Sequence, residues 1–254
     1  MSKDQIPFDR FVVVFGWDDF AATIAQQLIA SSNNVVVITE DEKHEPTIRG
    51  EFEEEYPESI ETFVLHRSDY SRMEEIKFSE AQSLFLNLES DEQNLIAILR
   101  MQNRFPNMKY MVALSDEELE ETFRSAGVTY AVSKFNIASK VLASYLYEPD
   151  VAEYSEDLLK ATEEEDDYDI QQYRVTNQCP ADGDSFVDVM RTLKSEHRST
   201  PIGLKRANGD LKKIPAPTTT VEEDDYVLLI TRGDREAGLE DYFGTEEGVL
   251  NGSD

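Results

Sequence analysis

The chain is poor in cysteine, histidine and positive charge, and each shortage closes off a class of function. Among 254 residues there is one cysteine, Cys179, so no disulfide can form within the chain, and this usage fits a reducing compartment. The three histidines, His44, His66 and His197, stand far apart in sequence. They offer neither Cys/His metal spacing nor a basis for a Ser-His-Asp arrangement. No apolar run approaches the roughly 20 residues that span a bilayer, and the opening MSKDQIPFDR lacks a signal peptide's charged-then-apolar layout. The expectation is a soluble, cytoplasmic chain, in which the NGS acceptor at Asn251 is a chance match. Lys and Arg number 24 against 53 Asp and Glu, a formal net charge of −29. Such a surface repels phosphate backbones and anionic headgroups, which argues against nucleic acid as a partner. The excess is spread along the chain, as in an acidic, halophilic surface screened by a cation-rich medium; a cation as partner is the other reading.

What remains is regular. Strand and helix signals alternate: FVVVF (11–15), NVVVIT (34–39), TFVLH (62–66), SLFLNL (83–88), KYMVAL (109–114) and VTYAVS (128–133) read as strands. Helical patterns fill the gaps, over 19–30, within the Glu-rich 41–59, from Ser68 or Asp69, over 90–105, after Ser115 and over 135–147. Ser90 reads as an N-cap with Gln93 at the capping-box position. Short β-branched strands joined by helices predict an α/β chain, a Rossmann-like doubly wound parallel sheet over 10–147 after an extension of residues 1–9. The acid-dense 148–169 reads as a linker or crossover. A smaller α+β C-terminal lobe over 170–235 follows, with a helix around Phe186–Leu193 and a hairpin at Asn208-Gly209, and then a loose tail over 236–254.

In an open parallel sheet, ligands bind beyond the carboxyl ends of the strands at the switch in strand order. The residues delivered there are Gly16, Trp17, Asp18 and Asp19; Glu40 and Asp41; Ser68 and Asp69; Glu89, Ser90 and Asp91; Ser115 and Asp116. Gly16 is the single glycine of a fingerprint that would have more, with Asp18 and Ala21 in the later positions. A carboxylate at the second position stands where a pyrophosphate would rest, so NAD bound in the usual way is disfavoured. Glu40 or Asp41 could still hold a ribose, leaving an adenine nucleotide open. The other candidate is a divalent cation, calcium for example, between Asp69 and Asp116. These acids also fit helix N-caps.

The order of FVVVFGW, VVVITEDE, LNLESDEQNLIAILRMQN and RSAGVTYAVSKFNIASKVLASYL, followed by YRVT, TPIGLKRANGDLKKIPAP and EDDYVLLIT, resembles the RCK (regulator of potassium conductance) domain, of the TrkA-N plus TrkA-C type. It looks closest to the cytosolic gating domains of archaeal calcium-gated channels. The resemblance covers roughly 10–235. It implies a non-catalytic ligand sensor that pairs into dimers, with a dimerisation helix near 135–147, and assembles into a ring, commonly octameric. Such a ring opens a potassium channel pore or acts on a transporter membrane subunit. By the resemblance, Asp69 matches one calcium ligand of those channels, while Ala113 and Ser115 stand where two more acids would be; Asp116 or Glu117 could substitute. The alternative function on the same sheet is a nucleotide-dependent oxidoreductase.

Overall fold

A computed structural model describes residues 5–53, 55–160, 167–233 and 236–248. Asn251, residues 1–4 of the expected extension, and residues 161–166 of the expected linker lie outside the described residues. Two compact units, residues 1–152 and 153–254, divide the chain.

The first unit is a six-stranded parallel sheet in the order β3-β2-β1-β4-β5-β6. Its strands are β1 (Val12–Phe15), β2 (Val35–Thr39), β3 (Ile60–Val64), β4 (Ser83–Leu86), β5 (Lys109–Leu114) and β6 (Tyr130–Ser133). Successive side chains of a strand face opposite ways, and both faces of this sheet are covered. Val14, Val35, Val37 and Phe85 pack with Ala21, Ala25 and Ile29 of α1 (Asp19–Ala30). Val13, Phe15, Val36 and Leu84 pack with Met73 of α3 (Tyr70–Glu75), Ile98 and Met101 of α4 (Asp91–Gln102), and Phe123 of α5 (Glu120–Ser125). Two-sided burial explains why the strands read as unbroken apolar runs rather than alternating ones.

Some elements differ from the sequence expectation. Strand β3 begins at Ile60 and takes in Glu61, only 6% exposed; a charged residue inside the run pushes a hydrophobicity-based reading downstream. The 41–59 stretch forms a short α2 (His44–Ile48) that continues as a π-helical turn, Arg49–Glu53. The Ser90 hydroxyl accepts from Gln93 N at 3.2 Å as a cap should. The Gln93 side chain, however, is engaged by Arg67 at 2.8 Å and Glu89 at 3.3 Å rather than closing a capping box. After α6 (Lys134–Tyr147), the acidic stretch forms α7 (Pro149–Leu159), with proline in its first turn, where the missing N–H costs nothing.

The second unit holds a four-stranded antiparallel sheet in the order β7-β10-β8-β9: β7 (Tyr168–Arg174), β8 (Thr200–Lys205), β9 (Leu211–Lys212) and β10 (Tyr226–Arg232). The β8–β9 hairpin turns at Asn208-Gly209, with Gly209 at φ +92°. Helix α8 (Phe186–Glu196) packs Phe186, Val189 and Leu193 into a core with Tyr173, Leu204, Val227 and Leu229. The segment expected to be a loose tail is helical over residues 236–243 and forms turns over 244–248. Helix α9 (Glu236–Phe243) buries Leu239 and Phe243 completely, and Phe243 stacks on Tyr173 at 5.1 Å. Two apolar anchors four residues apart suffice to dock a helix, however acidic its other faces.

Cys179 belongs to this core. Burial pushes its thiol up to about 11, with Asp182 and Asp184 adding to the shift. The native thiol is therefore expected to react with an aromatic disulfide reagent at pH 8 about a hundredfold more slowly than the denatured chain does. Equal rates in the two states would show the site to be open.

Candidate functional site

The strand order changes direction between β1 and β4, and the crevice beyond their carboxyl ends is the position where this sheet type holds ligands. Gly16 closes β1, its N–H donating to Ile38 O at 2.8 Å while Asn87 N donates to Phe15 O at 2.8 Å. The two strand ends come so close that a Cβ on Gly16 would lie 2.0 Å from Asn87 O, and Gly16 has φ +95°. Trp17 meets Phe52 edge-on at 5.5 Å and packs against the cluster that holds Ala21 and Ala25 of α1.

Asp18 is the N-cap of α1. Its Oδ1 accepts from Ala21 N at 2.8 Å and from Asn87 Nδ2 at 2.8 Å. Asn87 Oδ1 in turn accepts from Lys134 Nζ at 3.4 Å, and that ammonium lies 4.2 Å over the Phe20 ring. A chain Asp18–Asn87–Lys134 thus crosses the switch point, linking the ends of β1, β4 and β6. Asp19 is the first, exposed residue of α1.

A second network lies at the ends of β2 and β3. Glu40 accepts from Arg67 through the backbone N at 2.6 Å, through Nε at 3.1 Å and through Nη2 at 2.9 Å. Arg67 Nη1 donates to Gln93, and His66 Nε2 stands 3.6 Å from Glu40. Asp41 is exposed and accepts from Lys43 N at 2.9 Å. Asp69 caps α3 by accepting from Arg72 N at 3.2 Å, and Asp116 caps the following 3-10 turn by accepting from Glu118 N at 3.0 Å. Asp91 accepts from Ser115 N at 3.0 Å and Asp116 N at 3.1 Å, tying the start of α4 to the end of β5. The Asp69 and Asp116 carboxylates are thus engaged with their own helix starts. Among the described residues no group of three or more His, Cys, Asp or Glu side chains is placed to hold a metal.

Sequence reasoning counted the acids at the strand ends and missed the cations. Arg67 and Lys134 also follow strands, β3 and β6, so position alone could have found them. Asn87 was hidden at the end of an apolar run. The crevice thus holds two cations beside its acids, with Arg67 paired to Glu40 and Lys134 bonded to Asn87.

The family profile described as the TrkA-N domain matches residues 12–134, from the first strand to the first residue of α6. The N-terminal unit resembles a TrkA-N domain over these residues. The human SLO3 gating ring has the same fold, with a TM-score of 0.64 at 12% identity, covering 92% of this chain and 46% of that one. The GsuK RCK domain is 17% identical with a TM-score of 0.45, covering 97% of this chain and 50% of that chain. GsuK bound to ADP is 19% identical with a TM-score of 0.48, covering 59% and 38%. This chain thus spans half or less of each of these structures. No curated protein matches it. The TrkA-N match agrees with the RCK resemblance read from the sequence, and the parallel sheet followed by a separate antiparallel one is the fold class expected there. No helix among the described residues is long and apolar enough to cross a membrane.

Proposed function

We propose that this chain is a non-catalytic, ligand-sensing regulatory domain of the RCK type. It assembles with copies of itself into dimers and a ring, and gates potassium flux through a channel pore or transporter membrane subunit from the cytoplasmic side. The observation that carries the reading is the arrangement at the β1–β4 switch point of the N-terminal unit. There Asp18 is tied to Asn87 and Asn87 to Lys134, while beside it, at the ends of β2 and β3, Glu40 is tied to Arg67 and Arg67 to Gln93. A ligand that exchanges these contacts for its own binds one arrangement of the strand ends better than another, and that difference in affinity is what a sensor needs.

The ligand class this geometry favours is an adenine nucleotide. Lys134 and Arg67 supply two cations to the crevice, and the shared Gly16–Asn87 closure leaves room only for backbone at the turn. Asp18 opposes the phosphates and sets the affinity low. The nucleotide-dependent oxidoreductase that the sheet alone would permit has no contact of its own to favour it.

Calorimetric titration with ADP, ATP, NAD and calcium at matched ionic strength tests the ligand. The wild type is expected to bind ADP. Asp18→Asn keeps a capping oxygen while removing the charge, and should bind ADP about tenfold more tightly. Lys134→Glu should bind it at least as much more weakly. Binding of calcium alone, abolished by Asp69→Asn, would replace the nucleotide with a cation. Regulation itself is read as nucleotide-dependent rubidium flux in vesicles carrying the membrane partner, and flux indifferent to this chain would sink the proposal.

A further inference from the structure

The second unit carries an apolar groove of about 470 Å³ that the sensing role does not use. Phe186 and Met190 of α8, Gly203 of β8, Leu228 of β10, and Lys213 and Ile214 are among the residues that line it. Gly203 and Leu228 face each other across β8 and β10. A Cβ on Gly203 would sit 3.4 Å from Lys212 O and 3.6 Å from Leu228 Cβ, in ordinary contact, so a larger side chain can be placed there. Ile214, one of the lining residues, is 93% exposed.

The charge around the groove runs against the rest of the molecule. Residues 205–213 hold Lys205, Arg206, Lys212 and Lys213 against the single acid Asp210, in a chain with 53 acids and 24 cations. Two of the four are engaged within the unit. Arg206 pairs with the buried Asp225 and with Glu222, and Lys205 lies 5.7 Å over the Tyr226 ring. Lys212 and Lys213 form no ion pair among the described residues. Lys213 is the one charged side chain lining the groove.

We propose that this groove binds a small amphiphilic carboxylate. Its apolar body lies on Phe186, Met190 and Leu228, and its carboxylate meets the Lys213 ammonium at the rim. The volume falls within the range of small-molecule sites, which are mostly apolar with a few polar groups fixing orientation. A lysine with no ion pair among the described residues of so acidic a chain selects an anionic head, and the apolar lining selects the body. The inference concerns the second unit and stands independently of the ligand proposed for the first.

The test uses the full chain and decanoate at sub-micellar concentration, with decanol and decyltrimethylammonium as neutral and cationic counterparts, followed by calorimetry and by protection of Met190 in amide-and-methyl NMR spectra. Decanoate should bind one to one and perturb Met190, with decyltrimethylammonium not binding. Lys213→Glu, a change at an exposed site, should weaken decanoate about tenfold. Gly203→Leu, which adds a side chain at a lining position, should abolish binding, and circular dichroism should show both variants folded. If decanoate and decyltrimethylammonium bind alike, or if Lys213→Glu binds as the wild type does, the proposal is overturned. If decanoate does not bind while Ile214→Asp abolishes self-association, the groove is an interface with a second copy and the proposal fails.

Discussion

Gly16→Ala is expected to destabilise the N-terminal unit by about 3–5 kcal/mol, enough to unfold many domains of ordinary stability. Two costs combine. The backbone at φ +95° is strained for any residue with a Cβ, and the added carbon would meet Asn87 O at 2.0 Å. The obstacle is a carbonyl fixed between hydrogen-bonded strands, so no rotamer change relieves it. Asparagine separates the two terms because it tolerates positive φ better than alanine does. Gly16→Asn should therefore fail almost as badly as Gly16→Ala. At Gly209, φ is +92° and nothing lies within 4 Å of the added Cβ. Gly209→Asn should consequently cost about 1 kcal/mol or less. Denaturant unfolding followed at two probes, the single Trp17 for the first unit and Cys179 labelling for the second, reads the effect unit by unit. A Gly16→Ala protein that unfolds with the wild-type midpoint at Trp17 would refute the close approach of β1 and β4.

That same glycine shows how far sequence could go. The turn after FVVVF was legible because a β-branched run ending in glycine has few other readings, and the Asn208-Gly209 hairpin was legible for a similar local reason. Ser90 as a cap followed from a hydroxyl before an apolar period. What escaped the sequence was decided across strands rather than along them. That Gln93 turns to Arg67 instead of closing a capping box depends on where β3 ends relative to α4, which no local pattern encodes. Asp18 reads in sequence as a lost glycine or a helix cap; the fold makes it the cap and joins it through Asn87 to a lysine more than a hundred residues onward, which no local pattern shows. Helix α9 was missed because two buried side chains among acids give a weak periodic signal, although their burial is complete. Local chemistry set the element types, and tertiary proximity set which polar groups answer one another.

Replacing Leu142 and Leu146 together by aspartate is expected to turn an associating protein into a monomer. Helix α6 has no buried residue, yet it carries Phe135, Ile137, Val141, Leu142, Tyr145, Leu146 and Tyr147. At 100° per residue all of these except Tyr147 fall within about half the helix circumference. Leu142 is 63% exposed and Leu146 92% exposed. Scattered surface leucines are ordinary, but a contiguous apolar face of this width marks an interaction surface. Helix α4 adds Ile96 and Leu99, also exposed, on the same unit. A second copy of the same face is the occupant the RCK reading requires, and a two-fold contact makes each substitution count twice. Losing two leucines from each side and burying carboxylates in their place should weaken association by at least about a thousandfold. Because these side chains touch no core, the variant should keep the wild-type melting curve of the separated monomer. Sedimentation velocity over a wide concentration range, in the high salt that screens a charge of −29, distinguishes the outcomes. A wild type that stays monomeric throughout would remove ring assembly by this chain alone. A double variant that associates as the wild type does would move the interface off α6.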